Sequence, residues 1–127
     1  MIWLVALGSA IGGVLRYLIV PVAQRWYATG FPGGTLTVNI LGSLVIGFVV
    51  RLANVEAITP EARVFLTVGI CGGFTTFSSF SMESVELMQS GQWARAGIYV
   101  LASVACCFLA TFAGWSAGGL FSASRSA

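Results

Sequence analysis

The sequence contains no lysine, no aspartate and no histidine. Without imidazole, histidine-based acid/base chemistry and metal sites built on histidine are excluded. Charge of either sign is scarce. The six cations are all arginine (16, 25, 51, 63, 95, 125) and the four anions all glutamate (56, 61, 83, 86), together 8% of the chain. A soluble domain carries about 25%, because its surface must face water. A net charge of +2, dispersed along 127 residues, also excludes a nucleic-acid-binding stripe. Cysteine is confined to Cys71, Cys106 and Cys107, which lie in apolar runs without metal-ligand spacing. A thiol so placed behaves as a small hydrophobe rather than a redox centre. What remains is hydrocarbon: 57% of the residues are hydrophobic and the mean hydropathy is +0.94. Most of the surface must therefore face something other than water, and lipid is the candidate.

A helix needs about 20 apolar residues to cross a bilayer. Four segments reach that length, at about 2–23, 35–53, 62–88 and 94–121. The first lacks a basic leader and is followed by equally strong runs, so it reads as a retained span rather than a signal peptide. The links are short. "ATGFPGG" (28–34) is a Gly/Pro turn, and "NVEAITPEAR" (54–63) offers Thr59 as an N-cap ahead of Pro60 and Glu61. "QSGQW" (89–93) is a tight turn with Trp93 at the interface, and the tail "SASRSA" is polar and expected to fray. The reading is a single all-α membrane domain, 1–127, with no internal repeat.

Four spans put both termini on one side. That side holds Arg51, Arg63 and Arg125; the other holds Arg25 and Arg95, with Arg16 embedded in the first span toward that end. The positive-inside rule has almost nothing to act on. Insertion in both orientations, and hence an antiparallel homodimer, is one reading of the balance; chance with so few charges is the other. Four helices are also too few to enclose a generous pore alone, which favours an oligomer. Small residues allow close helix contact at Gly8, Ser9, Gly12 and Gly13, and again at Gly42, Ser43 and Gly47. Each pair serves either packing within a protomer or a seam between two.

Polar side chains inside a bilayer need a partner or a water-filled path. Arg16 either attracts an anion or anchors the helix at the interface, and Asn39 is either structural glue or a ligand contact. Tyr99, Ser103, Cys107 and Thr111 recur every four residues, one stripe along the fourth span. Its hydroxyls either bond the preceding-turn carbonyls or form a track of donors for a partly dehydrated ion.

The third span carries "GGFTTFSSFSME" (72–83). Gly72 and Gly73 weaken a helix, and Thr75, Thr76, Ser78, Ser79 and Ser81 compete for backbone hydrogen bonds. A broken helix at membrane depth is tolerated only where protein or water surrounds it, and its freed carbonyls suit a small hard cation. Phe74, Phe77 and Phe80, at i, i+3 and i+6, form a packing stripe or turn positive ring edges to an anion. Glu83 is expected to cap polar backbone or hold water at a pore mouth, and Glu86 to be solvated. No nucleophile–base pair accompanies them, so the chain is not expected to be an enzyme.

"GTLTVN" (34–39), "GGVLRYL" (12–18) and "GICGGFTTFSSFSMESVELM" (69–88) together resemble the Fluc (CrcB) family of fluoride channels. The resemblance covers essentially the whole chain, and the GGxTTFSxFSxE pattern is long and specific. It implies a dual-topology antiparallel homodimer in the bacterial inner membrane, with two fluoride pores along the subunit interface. Passive export through them would protect the cell from fluoride trapped in the cytoplasm. By position, Phe77 and Phe80 match the paired pore phenylalanines, Asn39 the pore asparagine, and Tyr99 and Ser103 the polar track. Gly72 and Thr75 match the break whose main-chain carbonyls, two from each subunit, coordinate a central structural sodium ion. Arg16 matches the vestibule arginine and Glu83 the acid after the break, with Thr76 and Ser79 as hydroxyl-bearing neighbours. Cys107 departs from the pattern by standing where serine is expected, and a thiol donates weakly.

The competing reading is a dual-topology four-helix multidrug exporter. Such a transporter needs a carboxylate in its first span; this chain has Arg16 there and no acid before Glu56. A scaffold subunit would explain the glycines but not two aligned polar tracks.

Overall fold

The apolar runs form four helical spans in a computed structural model, which describes residues 1–126. Helix α1 covers Ile2–Gln24 and α2 Gly33–Asn54. The third span, Pro60–Gln89, is composite: α3 (Pro60–Val64), a π-helical stretch (Phe65–Cys71), a single turn α4 (Gly72–Phe74) and α5 (Phe77–Gln89). The fourth is one long helix, α6 (Trp93–Ser126). Thr59 caps α3 by accepting from the Ala62 N–H at 3.2 Å, with Pro60 at the first helical position. Gly30 and Gly91 take φ of +88° and +79°, a left-handed conformation that tight turns demand.

Two differences from expectation concern helix ends. Gly33 and Gly34 belong to α2, because the Gln24 side chain caps them: its Oε1 accepts from Gly34 N–H at 2.9 Å while its Nε2 donates to the Phe31 carbonyl. The polar tail continues α6 to Ser126, with Ser122, Ser124 and Ser126 each donating to a carbonyl three or four residues back. Residue 127 lies outside the described part.

Helices in lipid gain little from hydrophobic burial against each other, so contact relies on small residues that let backbones approach. The glycines of α1 meet the third span this way. A Cβ on Gly8 would lie 2.8 Å from the Gly69 Cα, and one on Gly73 would lie 2.5 Å from the Ser9 carbonyl oxygen. Gly47 and Gly114 do the same for α2 and α6, the pair with the most extensive contact. These glycine contacts are thus packing within the protomer. Leu101, Phe112 and Leu120 of α6 point outward, as lipid requires. Inside, Val38 and Tyr99 are fully buried, and Leu36, Leu87 and Ala96 gather around Tyr99.

The break in the third span falls at Thr75 and Thr76: of the two residues matched to it, Thr75 is extended and Gly72 stays helical. Gly72 and Gly73 keep helical geometry, whereas Thr75 (φ −81°, ψ 157°) and Thr76 (φ −148°, ψ 107°) are extended. Glycine at 73 serves the approach of α1, and the two threonines terminate and restart the helix through their hydroxyls. Thr75 Oγ1 donates to the Cys71 carbonyl at 2.9 Å, and Thr76 Oγ1 accepts from Ser79 N–H at 3.1 Å as the N-cap of α5. Phe74 therefore sits on the far side of the break from Phe77 and Phe80, and the three do not share one helical face.

Candidate functional site

A break inside a span exposes backbone groups that lipid cannot satisfy. Asn39, on α2, meets both of those on Thr76. Its Oδ1 accepts from Thr76 N–H at 2.7 Å, and its Nδ2 donates to the Thr76 carbonyl at 3.2 Å. The amide is a staple across the break, one of the two roles open to it from sequence. Because Thr76 N–H turns to Asn39, it is not given to the Gly72 carbonyl, its ordinary helical partner.

Beside the staple lies a cleft of about 390 Å³ between α2, the broken span and α6. Asn39, Gly72, Thr75, Thr76, Phe77, Phe80 and Ser103 all line it. Phe77 and Phe80 are neighbours, ring centroids 5.5 Å apart, and Phe80 makes an edge contact with Tyr99 at 5.2 Å. Phe80 is half-buried, whereas Phe77 is 79% exposed in the protomer. The fourth-span stripe divides three ways. Thr111 bonds back to the Cys107 carbonyl at 3.0 Å, Tyr99 donates elsewhere, and the buried Ser103 Oγ has no hydrogen-bond partner. Cys107 lines the cleft with Ser43.

Glu83 bonds side chains rather than capping backbone. Its carboxylate accepts from Thr35 Oγ1 at 2.7 Å and from the Tyr99 hydroxyl at 2.6 Å, tying α5 to α2 and α6. It borders two further hollows. One, of about 460 Å³, holds Arg16, Thr35, Thr76 and Ser79; the other, of about 440 Å³, holds Gln24, Glu86 and Gln92. Hydroxyl, amide and phenylalanine side chains thus line the cleft with no cation, while Arg16 stands in the hollow on the other side of Thr76.

Thr35 and Ser43 are functional candidates that the sequence reading passed over. With Asn39 they repeat at i, i+4 and i+8, the same spacing that drew attention to Tyr99, Ser103 and Cys107. The test applied to the fourth span would have found them in the second. Thr35→Val removes one of two donors to Glu83 and keeps the shape. It is expected to cost about 1.5–3 kcal/mol, the worth of one hydrogen bond to a charge. An unchanged melting temperature in detergent would remove Thr35 from the site.

Four apolar helical spans, the third broken within the bundle, with polar side chains from three of them turned onto one cleft, define a multi-pass helical membrane protein. Residues 3–115 match the family model described as CrcB-like protein, Camphor Resistance (CrcB), and the chain belongs to that family. Its relatives include a protein of Paramagnetospirillum magneticum, 50% identical over 114 residues that cover 87% of this chain and 89% of that one. Another, from a strain of Thermus thermophilus, is 47% identical over 116 residues, 91% of each chain. A third, from a Roseiflexus species, is 52% identical over 101 residues, 78% of this chain and 81% of that one. Each of the three is named fluoride-specific ion channel FluC.

Proposed function

We propose that the chain is a fluoride-selective channel, not an enzyme, which exports fluoride passively across a bacterial inner membrane. The observation that carries this reading is the cleft itself. Fluoride is small and strongly hydrated, so a path must replace its water with several donors. Ser103, the Asn39 amide and the edges of Phe77 and Phe80 offer these without a fixed cation that would trap the ion. Arg16, with Thr76 and Ser79 beside it, belongs to a vestibule where an anion gathers before entry, and Glu83 stands at its boundary.

The working unit in this reading is an antiparallel dual-topology homodimer with two pores. A protomer that leaves Phe77 79% exposed at a largely apolar cleft gains from a second copy covering it, and the balanced arginines suit either orientation. The sodium reading also has a chemical basis. The described residues hold no cluster of three or more acidic, thiol or imidazole ligands, so a cation here would depend on main-chain oxygen. The carbonyls of Gly72 and Thr75, beside the break, are hard donors of the kind sodium takes, and Gly72 has lost the Thr76 N–H. A bound sodium ion would supply structural charge between the two subunits. The exporter alternative is disfavoured because Arg16, and no carboxylate, occupies α1.

Reconstituted into liposomes loaded with fluoride, with a potassium ionophore shunting the voltage, the protein is expected to release fluoride and not chloride. No fluoride efflux from well-folded protein, or equal chloride efflux, would sink the channel reading.

A further inference from the structure

At the terminus end of the bundle, away from the cleft, α2 and α6 enclose a hollow of about 590 Å³ that includes Arg51, Glu56, Gly119, Ser122 and Arg125. Arg51 lies along α6 because Gly118 and Gly119 carry no side chains. A Cβ at 118 would come within 2.9 Å of the Arg51 Cβ, and one at 119 within 3.4 Å of its Nε. The guanidinium is held over the Trp115 ring at 5.3 Å, and that of Arg125 over Phe121 at 5.8 Å. An arginine in the last turn of a helix ordinarily bonds the final carbonyls. Arg51 Nε does not: it is buried and has no hydrogen-bond partner. Among the described residues, one carboxylate, Glu56, lines the hollow with the two arginines, and it also borders the neighbouring hollow of about 540 Å³ that holds Arg63.

We infer that this hollow binds a phosphate-bearing anion, with the half-buried Arg51 as the inner part of the site and the exposed Arg125 as its outer part. A planar guanidinium with an unused N–H matches phosphate oxygens geometrically. Two guanidiniums against one carboxylate leave the charge that a singly charged phosphate diester would neutralise. The hollow lies where the apolar helices α2 and α6 end, and exposed Leu120 and Phe121 stand on the same stretch of α6, as suits a phospholipid headgroup. A lipid headgroup and free phosphate share this chemistry, and the test separates them.

The test is native mass spectrometry of the purified full chain in detergent, titrated with dioctanoyl phosphatidylglycerol. Arg51→Gln is expected to weaken binding about ten- to hundredfold, and Arg51→Lys less, because charge without the fork retains part of the contact. Arg125→Gln alters only an exposed side chain, so it tests the site without endangering the fold; roughly tenfold weakening is expected. If inorganic phosphate at millimolar concentration displaces the lipid, the anion site stands and free phosphate is its ligand; if not, the headgroup is. Equal affinity of the wild type, Arg51→Gln and Arg125→Gln would overturn the proposal. So would equal affinity for dioctanoylglycerol, which has no phosphate.

Discussion

Replacing Phe80 with isoleucine is expected to abolish fluoride flux, or cut it at least a hundredfold, in protein that still folds. Phe80 is half-buried in the protomer, edge-on to Tyr99 at 5.2 Å and 5.5 Å from Phe77. Isoleucine keeps the apolar bulk, and a swap of that kind costs about 1–2 kcal/mol of packing, too little to unfold the chain. What disappears is the ring quadrupole, whose positive edge is the only donor the side chain can turn to an anion. The loss should therefore fall on flux and spare stability. Efflux from reconstituted vesicles measures the first, and elution volume with thermal stability in detergent measures the second. Wild-type flux would remove the ring from the mechanism, and loss of assembly would show that it serves packing. Phe77→Ile is the matched comparison, since Phe77 is exposed in the protomer and its packing cost is smaller still.

The sequence made the class of fold plain because the signal was chemical and redundant: four apolar runs of sufficient length, with almost no charge. It located the break in the third span only approximately. Glycine has the poorest helix propensity short of proline, so Gly72 and Gly73 drew the assignment. In the fold, Gly73 answers a tertiary demand, the approach of Ser9, and the helix opens at Thr75 and Thr76 instead. Nothing local in the chain announces a contact between spans. The same holds for Glu83, whose partners Thr35 and Tyr99 stand 48 and 16 residues away. Periodicity was more reliable where it stayed within one helix. Ser103 and Cys107 do line the cleft, but Thr111, further along the stripe, bonds back to its own helix. The spacing i, i+3, i+6 misled for Phe74, because it presumed a continuous helix across the break.

That break makes Asn39 a sensitive polar position. Thr76 is buried, and its N–H and C=O both depend on the Asn39 amide, at 2.7 and 3.2 Å. Asn39→Ala leaves both groups unpaired. Each unsatisfied buried group costs about 1–3 kcal/mol, so the pair amounts to roughly 2–6 kcal/mol against a total stability of about 5–15 kcal/mol. The variant is expected to lose several degrees or more of thermal stability in detergent and, with the break no longer fixed, its flux. Asn39→Asp distinguishes the two halves of the staple. It keeps an acceptor for Thr76 N–H but sets a charged carboxylate oxygen against the Thr76 carbonyl, so its stability should fall at least as far as that of Asn39→Ala. A purely ligand-contacting asparagine predicts another pattern: flux lost in both variants at wild-type stability. Thermal melts beside efflux rates separate these outcomes. An Asn39→Ala protein as stable as wild type would show that water, or a neighbouring subunit, satisfies Thr76 without it.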